Sequence, residues 1–241
     1  MKNLRVHVVP IGLDPQERIT EPLIRYKADK AYLITYLRDS ETAEENLESA
    51  KRFLAKTLPS CELKQISTDI WDLFGCLEQY RKIFRDEEGN RIYVNTSTGS
   101  KISCITGMLA CMMWDGIPYY AKLNYSKEKP AKIKPMEVED TIELPRYKLN
   151  MPDKTSLITL SIIKKAGGKI TKKDLIEELQ KLGIIPPFKD SQRSAPHSRL
   201  RPILDPLLLH WNCVEIKSRG SKSEVNLTEQ GETALRIFGD L

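Results

Sequence analysis

The chain has 241 residues, 40% of them hydrophobic and 29% charged, with a formal net charge of +5 at pH 7. That length supports one large core or two ordinary ones. No run of about 18 apolar residues suggests a transmembrane helix, and the opening Met-Lys-Asn-Leu lacks a signal peptide's apolar core, so a cytoplasmic protein without membrane association is expected.

In chain order, residues 4–9 are a β-branched run ended by Pro10 and Gly12, followed by a helical stretch over 17–27 and a strand over 30–37. Ser40 is placed to cap a helix over 41–58, whose Ala43, Leu47, Ala50, Phe53, Leu54 and Leu58 fall on one stripe. Pro59 stops it. A third strand covers 62–67. Asp69 is then expected to cap a helix reaching Phe84, with Trp71, Leu73, Phe74, Leu77, Tyr80 and Ile83 largely on its buried side. Gly89-Asn90 turns into a short apolar strand at 92–94, as befits a buried central strand. A helix over 100–114 and a strand over 119–124 follow. The polar, proline-punctuated stretch 126–135 leads to a last strand near 141–144 and a connector ending at Pro152. This alternation predicts an α/β domain over 1–150: a Rossmann-like, mostly parallel sheet with helices on both faces.

Residues 151–241 read differently. A helix over 154–166 ends at Gly167-Gly168, and Thr171 caps a second over 172–182, stopped by Gly183. A third runs over about 191–209, interrupted by Pro196, Pro202 and Pro206. A strand at 214–217, a basic turn over 218–223 and a return strand at 225–227 precede a helix ending at Phe238. Three helices followed by a hairpin with a basic tip predict a mainly α winged helix-turn-helix domain. Most of the charge excess lies here: 15 Lys and Arg against 11 Asp and Glu, where 1–150 carries 23 against 22.

Ligands of open α/β sheets bind beyond the carboxyl ends of the strands. The loop Asn95-Thr96-Ser97-Thr98-Gly99-Ser100-Lys101 is the richest candidate. Its small hydroxyl residues would let a ligand approach, Gly99 relaxes the turn, and the following helix offers free N–H groups beside Lys101. Both Ser97 and Lys101 are expected on an exposed loop. Gly12 and Arg18, in and after the first strand-helix loop, are a second cluster. These features suit an anion such as a nucleotide phosphate. The spacing matches neither a Walker A loop nor Gly-x-Gly-x-x-Gly. No catalytic set or metal cluster is evident, His7 reads as a core residue, and Cys61, Cys76, Cys104, Cys111 and Cys213 read as buried free thiols. The helix 100–114 has almost no charge after Lys101, so it should be buried on more than one side, within the monomer or against a second copy. Gly107, Ala110 and Met113 would suit close helix contact.

For DNA, the third helix of the C-terminal part offers Arg193, Ser194, His197, Ser198, Arg199 and Arg201 on one face. Leu200, Ile203, Leu204, Leu207 and Leu208 lie on the other, and Arg219 and Lys222 flank the wing tip.

With both halves assembled, the chain resembles the CRISPR-associated Rossmann-fold (CARF) regulators and their archaeal relatives, which join such a domain to a winged helix. The carrying residues are Asn95 to Lys101 and the Leu-Thr-x-x-Gly segment from Leu227 to Gly231. Where the usual loop more often has two adjacent glycines, this chain has Thr98-Gly99. The resemblance implies a homodimeric transcription regulator that senses cyclic oligoadenylate, such as cyclic tetra-adenylate, and binds double-stranded DNA. The alternatives are a ring nuclease in which Ser97, Ser100 and Lys101 align a 2′-hydroxyl, or a sensor whose winged helix contacts protein. Binding is favoured over catalysis, and no cofactor is implied.

Overall fold

The computed structural model describes residues 3–36, 41–124, 137–186, 195–219 and 222–239. The chain divides into two compact units, Met1–Leu149 and Asn150–Leu241. Ser40, the loop 126–135, Arg193 and Ser194 lie outside the described residues, as do the side chains of His197, Arg219 and Lys222.

The first unit is built from β1 (Arg5–Pro10), α1 (Gln16–Arg25), β2 (Lys30–Tyr36), α2 (Glu41–Thr57), β3 (Glu62–Thr68), α3 (Leu73–Asp86), β4 (Arg91–Asn95), α4 (Lys101–Trp114), β5 (Ile117–Leu123) and β6 (Val138–Glu143). The six strands lie in the order β3-β2-β1-β4-β5-β6. The first five are parallel, and β6 returns antiparallel to β5. This is the Rossmann order with its direction reversing between β1 and β4. β1, β2 and β4 are buried almost residue for residue, as strands covered on both faces must be. Val9, Ala31 and Leu33 share one apolar cluster with Ile19 and Leu23 of α1 and Leu47, Ala50 and Leu54 of α2. On the other face α3 packs on α4. A Cβ at Gly107 would lie 2.9 Å from Val94 Cγ1 and 3.3 Å from the Tyr80 hydroxyl. Gly107 therefore serves close contact with Val94 of the sheet and Tyr80 of α3, and Ala110 is fully buried within the chain.

Two expectations are corrected at the start of α3. The helix begins one turn later than read, with Asp72 as its cap accepting from Phe74 N. Asp69 instead makes an Asx-turn, its carboxylate accepting from Trp71 N at 2.9 Å. The displaced start turns Trp71 outward, 60% exposed, and leaves Phe74 exposed as well. Cys61 and Cys104 are half-buried and the other three cysteines buried; all five are free thiols.

The second unit runs α5 (Lys154–Lys165), β7 (Lys169–Thr171), α6 (Lys172–Lys181), α7 (Ala195–Leu209), β8 (Val214–Arg219), β9 (Lys222–Leu227) and α8 (Glu229–Phe238). Its sheet is ordered β7-β9-β8, antiparallel throughout. β7 is a strand the sequence reading missed: three residues give too little alternation to register. Leu160, Ile163, Leu175, Leu179, Leu200, Leu204, Leu207, Val214 and Val225 share the core. α7 continues through Pro202 and Pro206, each of which removes one helical hydrogen bond. The Leu-Thr-x-x-Gly segment has a physical basis. Thr228 caps α8 by accepting from Gly231 N and donates to Asn212 O, while a Cβ at Gly231 would overlap the Cys213 carbonyl. Among the described residues no helix is long and apolar enough to cross a membrane.

Candidate functional site

The loops after β1 and β4 leave the sheet on either side of the reversal point and meet above it. A Cβ at Gly12 would lie 3.0 Å from Gly99 Cα, so the two backbones are in contact and leave no crevice between them. Gly99 has φ +82, and a Cβ there would collide with Pro10 Cβ and Ser103 Oγ; both the turn and the packing require glycine. Asp14 closes the junction: its carboxylate accepts from Gly99 N at 2.7 Å and lies 3.8 Å from Arg18. Burial raises the Asp14 pKa above the ordinary aspartate value, against the opposing pull of the Gly99 N–H and Arg18. From α2, Asn46 Nδ2 donates to Gly12 O at 3.0 Å.

The hydroxyl-rich loop is not solvated, contrary to expectation. Asn95, Thr96, Ser97, Thr98 and Ser100 are all buried. Asn95 Nδ2 donates to Arg18 O, and its Oδ1 accepts from both Ser97 N and Ser97 Oγ. Ser97 Oγ also accepts from Ala121 N in β5 at 3.1 Å. Thr96 Oγ1 donates to Tyr119 O. Ser100 Oγ donates to Ile70 O at 2.7 Å and accepts from Ser103 N, capping α4. The Asn95, Thr96, Ser97 and Ser100 side chains thus pair within the protein, whereas Thr98 Oγ1 is buried with no partner among the described residues. A polar stretch pairs internally when the fold buries it, because an unmet buried polar group is expensive.

What the rim presents is cationic and aromatic. Arg18 reaches from α1, donates to Ser97 O at 3.5 Å and to the Tyr120 hydroxyl at 3.2 Å, and lies 5.5 Å from the Tyr120 ring centroid. Lys101 is exposed at the opening of α4, whose first turn contains no acidic residue, whereas α1 has Glu17 in its first turn. The dipole and charge therefore favour an anion at α4. The structure thus gathers Gly12, Arg18 and Asn95 to Lys101 at one place; Lys101 is exposed there, while the Arg18 side chain is only 14% exposed and is engaged by Asp14, Ser97 O and Tyr120. Asp14, Asn46 and Tyr120 escaped the sequence reading because each acts through long-range contacts that no local pattern signals.

Beneath the site, His7 is fully buried, stacked on Tyr93 at 4.8 Å, with Nδ1 3.3 Å from the Tyr119 hydroxyl. Burial lowers its pKa to about 3. On the outer side of α4, Ile105 is 50% exposed, and Met108, Leu109 and Met112 are half-buried. That i, i+3, i+4, i+7 spacing makes one apolar stripe.

In the second unit, Ser198 and Arg199 are exposed on α7 opposite the buried Leu200, Leu204 and Leu207. Arg201 is exposed too and pairs with Asp205 at 3.0 Å. At the wing, β8 and β9 stay in register up to the Arg219–Lys222 pair.

The uncharacterized protein MJ1513 of Methanocaldococcus jannaschii is 26% identical to this chain over 204 residues, 70% of this chain. The chain spans 59% of that relative's length. Among solved structures, Enterococcus italicus Csm6 bound to cyclic hexa-2′-fluoro-hexa-dAMP aligns with a TM-score of 0.45 and 10% identity, covering 87% of this chain and 56% of that one. Can2 from Sulfobacillus thermosulfidooxidans in complex with cyclic tetra-adenylate aligns with a TM-score of 0.40 and 12% identity, covering 98% and 64%. Residues 155–239 match the DUF6293 C-terminal winged helix domain. Residues 5–125, half of the chain, match the family described as HFX_2341_N:-like, N-terminal, and the chain belongs to that family, with a winged helix as its second unit.

Proposed function

We propose that this protein is a homodimeric, ligand-responsive DNA-binding regulator whose first unit senses an anionic nucleotide. The observation that carries the reading is the locked junction of the β1 and β4 loops at the sheet's reversal point, rimmed by Arg18 and Lys101. Because Gly12 and Gly99 are in backbone contact, a ligand at this junction would lie across the two loops rather than between those residues. Cyclic tetra-adenylate is the first ligand to test, since the CARF resemblance implies that class and a polyanionic ring suits the exposed Lys101 at the opening of α4.

The reading favours binding over cleavage. The Ser97 and Ser100 hydroxyls that a ring nuclease would use to align a 2′-hydroxyl both donate within the protein. The apolar stripe of α4 supports dimerisation, because a charge-free helix face left to water is a usual mark of an interface. The exposed arginine face of α7 supports DNA contact through phosphates and base edges.

Calorimetry with cyclic tetra-adenylate, followed by titration of duplex DNA with and without the ligand, tests the whole. Binding of the intact ring and a ligand-dependent change in DNA affinity are expected, equal in both directions by linkage. Failure of the full chain to bind any duplex at low salt would overturn the DNA reading and leave the winged helix to protein contact. Linear products would make the first unit a ring nuclease.

A further inference from the structure

We infer that Trp71 is a stacking platform for a nucleobase of the bound ligand, an assignment that rests on the first unit's binding a nucleotide. β3 lies at the edge of the sheet, three strands from β4, yet the corner after it returns across the carboxyl ends of the strands until Ile70 O receives the Ser100 hydroxyl at 2.7 Å. Trp71 is the next residue. Its backbone is clamped: Trp71 N donates to Asp69 Oδ1 at 2.9 Å, and Asp72 N donates to Asp69 O at 3.0 Å. Phe74 N donates to Asp72 Oδ1, and Cys76 Sγ to Asp69 O. The indole on this fixed corner is 60% exposed. A fixed backbone beneath an exposed aromatic ring limits the entropic loss on base stacking, and every base offers a π face to it. The charge on the same rim decides the occupant. Lys101 directly follows the Ser100 to which the corner is tied, so a ligand that joins a planar ring to a phosphate meets both groups, whereas an apolar peptide or lipid would leave Lys101 unmatched.

The test uses the full chain with cyclic tetra-adenylate, 5′-AMP and inorganic pyrophosphate, comparing wild type, Trp71→Phe and Trp71→Ala by calorimetry and tryptophan fluorescence. Trp71 is exposed, so both variants should retain the wild-type circular dichroism spectrum. Expected are adenylate binding on the order of ten- to a hundredfold weaker in Trp71→Ala, largely restored in Trp71→Phe, with pyrophosphate affinity unchanged. Ligand quenching of indole emission should vanish in Trp71→Phe although Trp114 and Trp211 remain. Wild-type adenylate binding that Trp71→Ala leaves unaltered would overturn this assignment and spare the nucleotide-sensor reading. A sedimentation change in Trp71→Ala at unchanged affinity would make the indole a protein contact instead. Binding of none of the three compounds by the wild type would overturn both.

Discussion

Ser97→Ala and Lys101→Ala should separate folding from binding. Both residues belong to one seven-residue loop, but Ser97 is only 8% exposed whereas Lys101 is exposed. Removing Ser97 Oγ deletes a 2.6 Å bond to Asn95 and leaves the fully buried Ala121 N–H without that acceptor. An orphaned buried donor costs about 1–3 kcal/mol. For a unit of this size each kcal/mol lowers the melting midpoint by about 2–4 °C, so the first unit should melt about 2–12 °C earlier. Lys101→Ala removes a solvated charge and should stay within about 0.5 kcal/mol of wild type, while weakening any anion that binds at α4. Differential scanning calorimetry of the full chain, where the two units can melt separately, gives the first quantity, and isothermal titration with cyclic tetra-adenylate the second. An unchanged midpoint together with lost binding in Ser97→Ala would refute the reasoning, because it would mean that the hydroxyl faces the ligand.

Stability should fall as pH drops from about 6.5 towards 3, because His7 stays neutral in the fold while the unfolded chain takes up its proton. The slope from this one residue is at most about 1.4 kcal/mol per pH unit, and urea titrations of His7→Phe should show it flattened; an identical slope in the variant refutes the assignment. Glu87 adds to the same acid limb: burial opposes its charge, but hydrogen bonds from Lys30, Tyr32 and Asn90 outweigh that and hold its pKa below the ordinary value. Its stabilisation is present above the unfolded pKa and lost as pH falls through the lower folded one, so Glu87→Gln should lessen the acid dependence below about pH 4.5. Met108→Glu should shift sedimentation at micromolar concentration from dimer to monomer, since a carboxylate buried without a partner costs several kcal/mol; a wild type that is already monomeric removes the dimer. Arg219→Ala and Lys222→Ala should weaken all duplexes alike and reduce the salt slope by about one per lost phosphate contact, and a sequence-selective loss from either would place that residue on a base edge.

The fold was legible because its signals are local and repeated. β1, β2 and β4 announce themselves as short β-branched or apolar runs, and the helices between them by 3.6-residue stripes such as Leu47, Ala50 and Leu54. The errors fall where two local signals compete. Asp69 and Asp72 are both good caps three residues apart; in the fold Asp69 is taken up by an Asx-turn at Trp71, and Asp72 caps the helix. Once the helix starts at Leu73, Trp71 must lie outside it, so one misplaced cap hid the most exposed aromatic on this edge of the sheet.

What the sequence could not show is the setting of the Asn95–Ser100 side chains, for a reason that reaches beyond single residues. A run of Asn, Thr and Ser looks the same in sequence whether its side chains meet water, a ligand or one another. The fold decides: the β1 loop seats on Gly99, and Ile70 seats on Ser100, so the loop is covered from two sides and the side chains of Asn95, Thr96, Ser97 and Ser100 pair internally. That pairing over-determines the loop, since Asn95, Ser97 and Ser100 together tie α1, α3's leading corner, α4 and β5 to one another. A site fixed in this way offers a ligand preorganised geometry and little to remodel. On the proposed reading, recognition falls to the side chains exposed around this base, chiefly Lys101 and Trp71. Lys101 closes the motif that the sequence marks, whereas Trp71 lies outside it and reaches it only through the neighbouring Ile70.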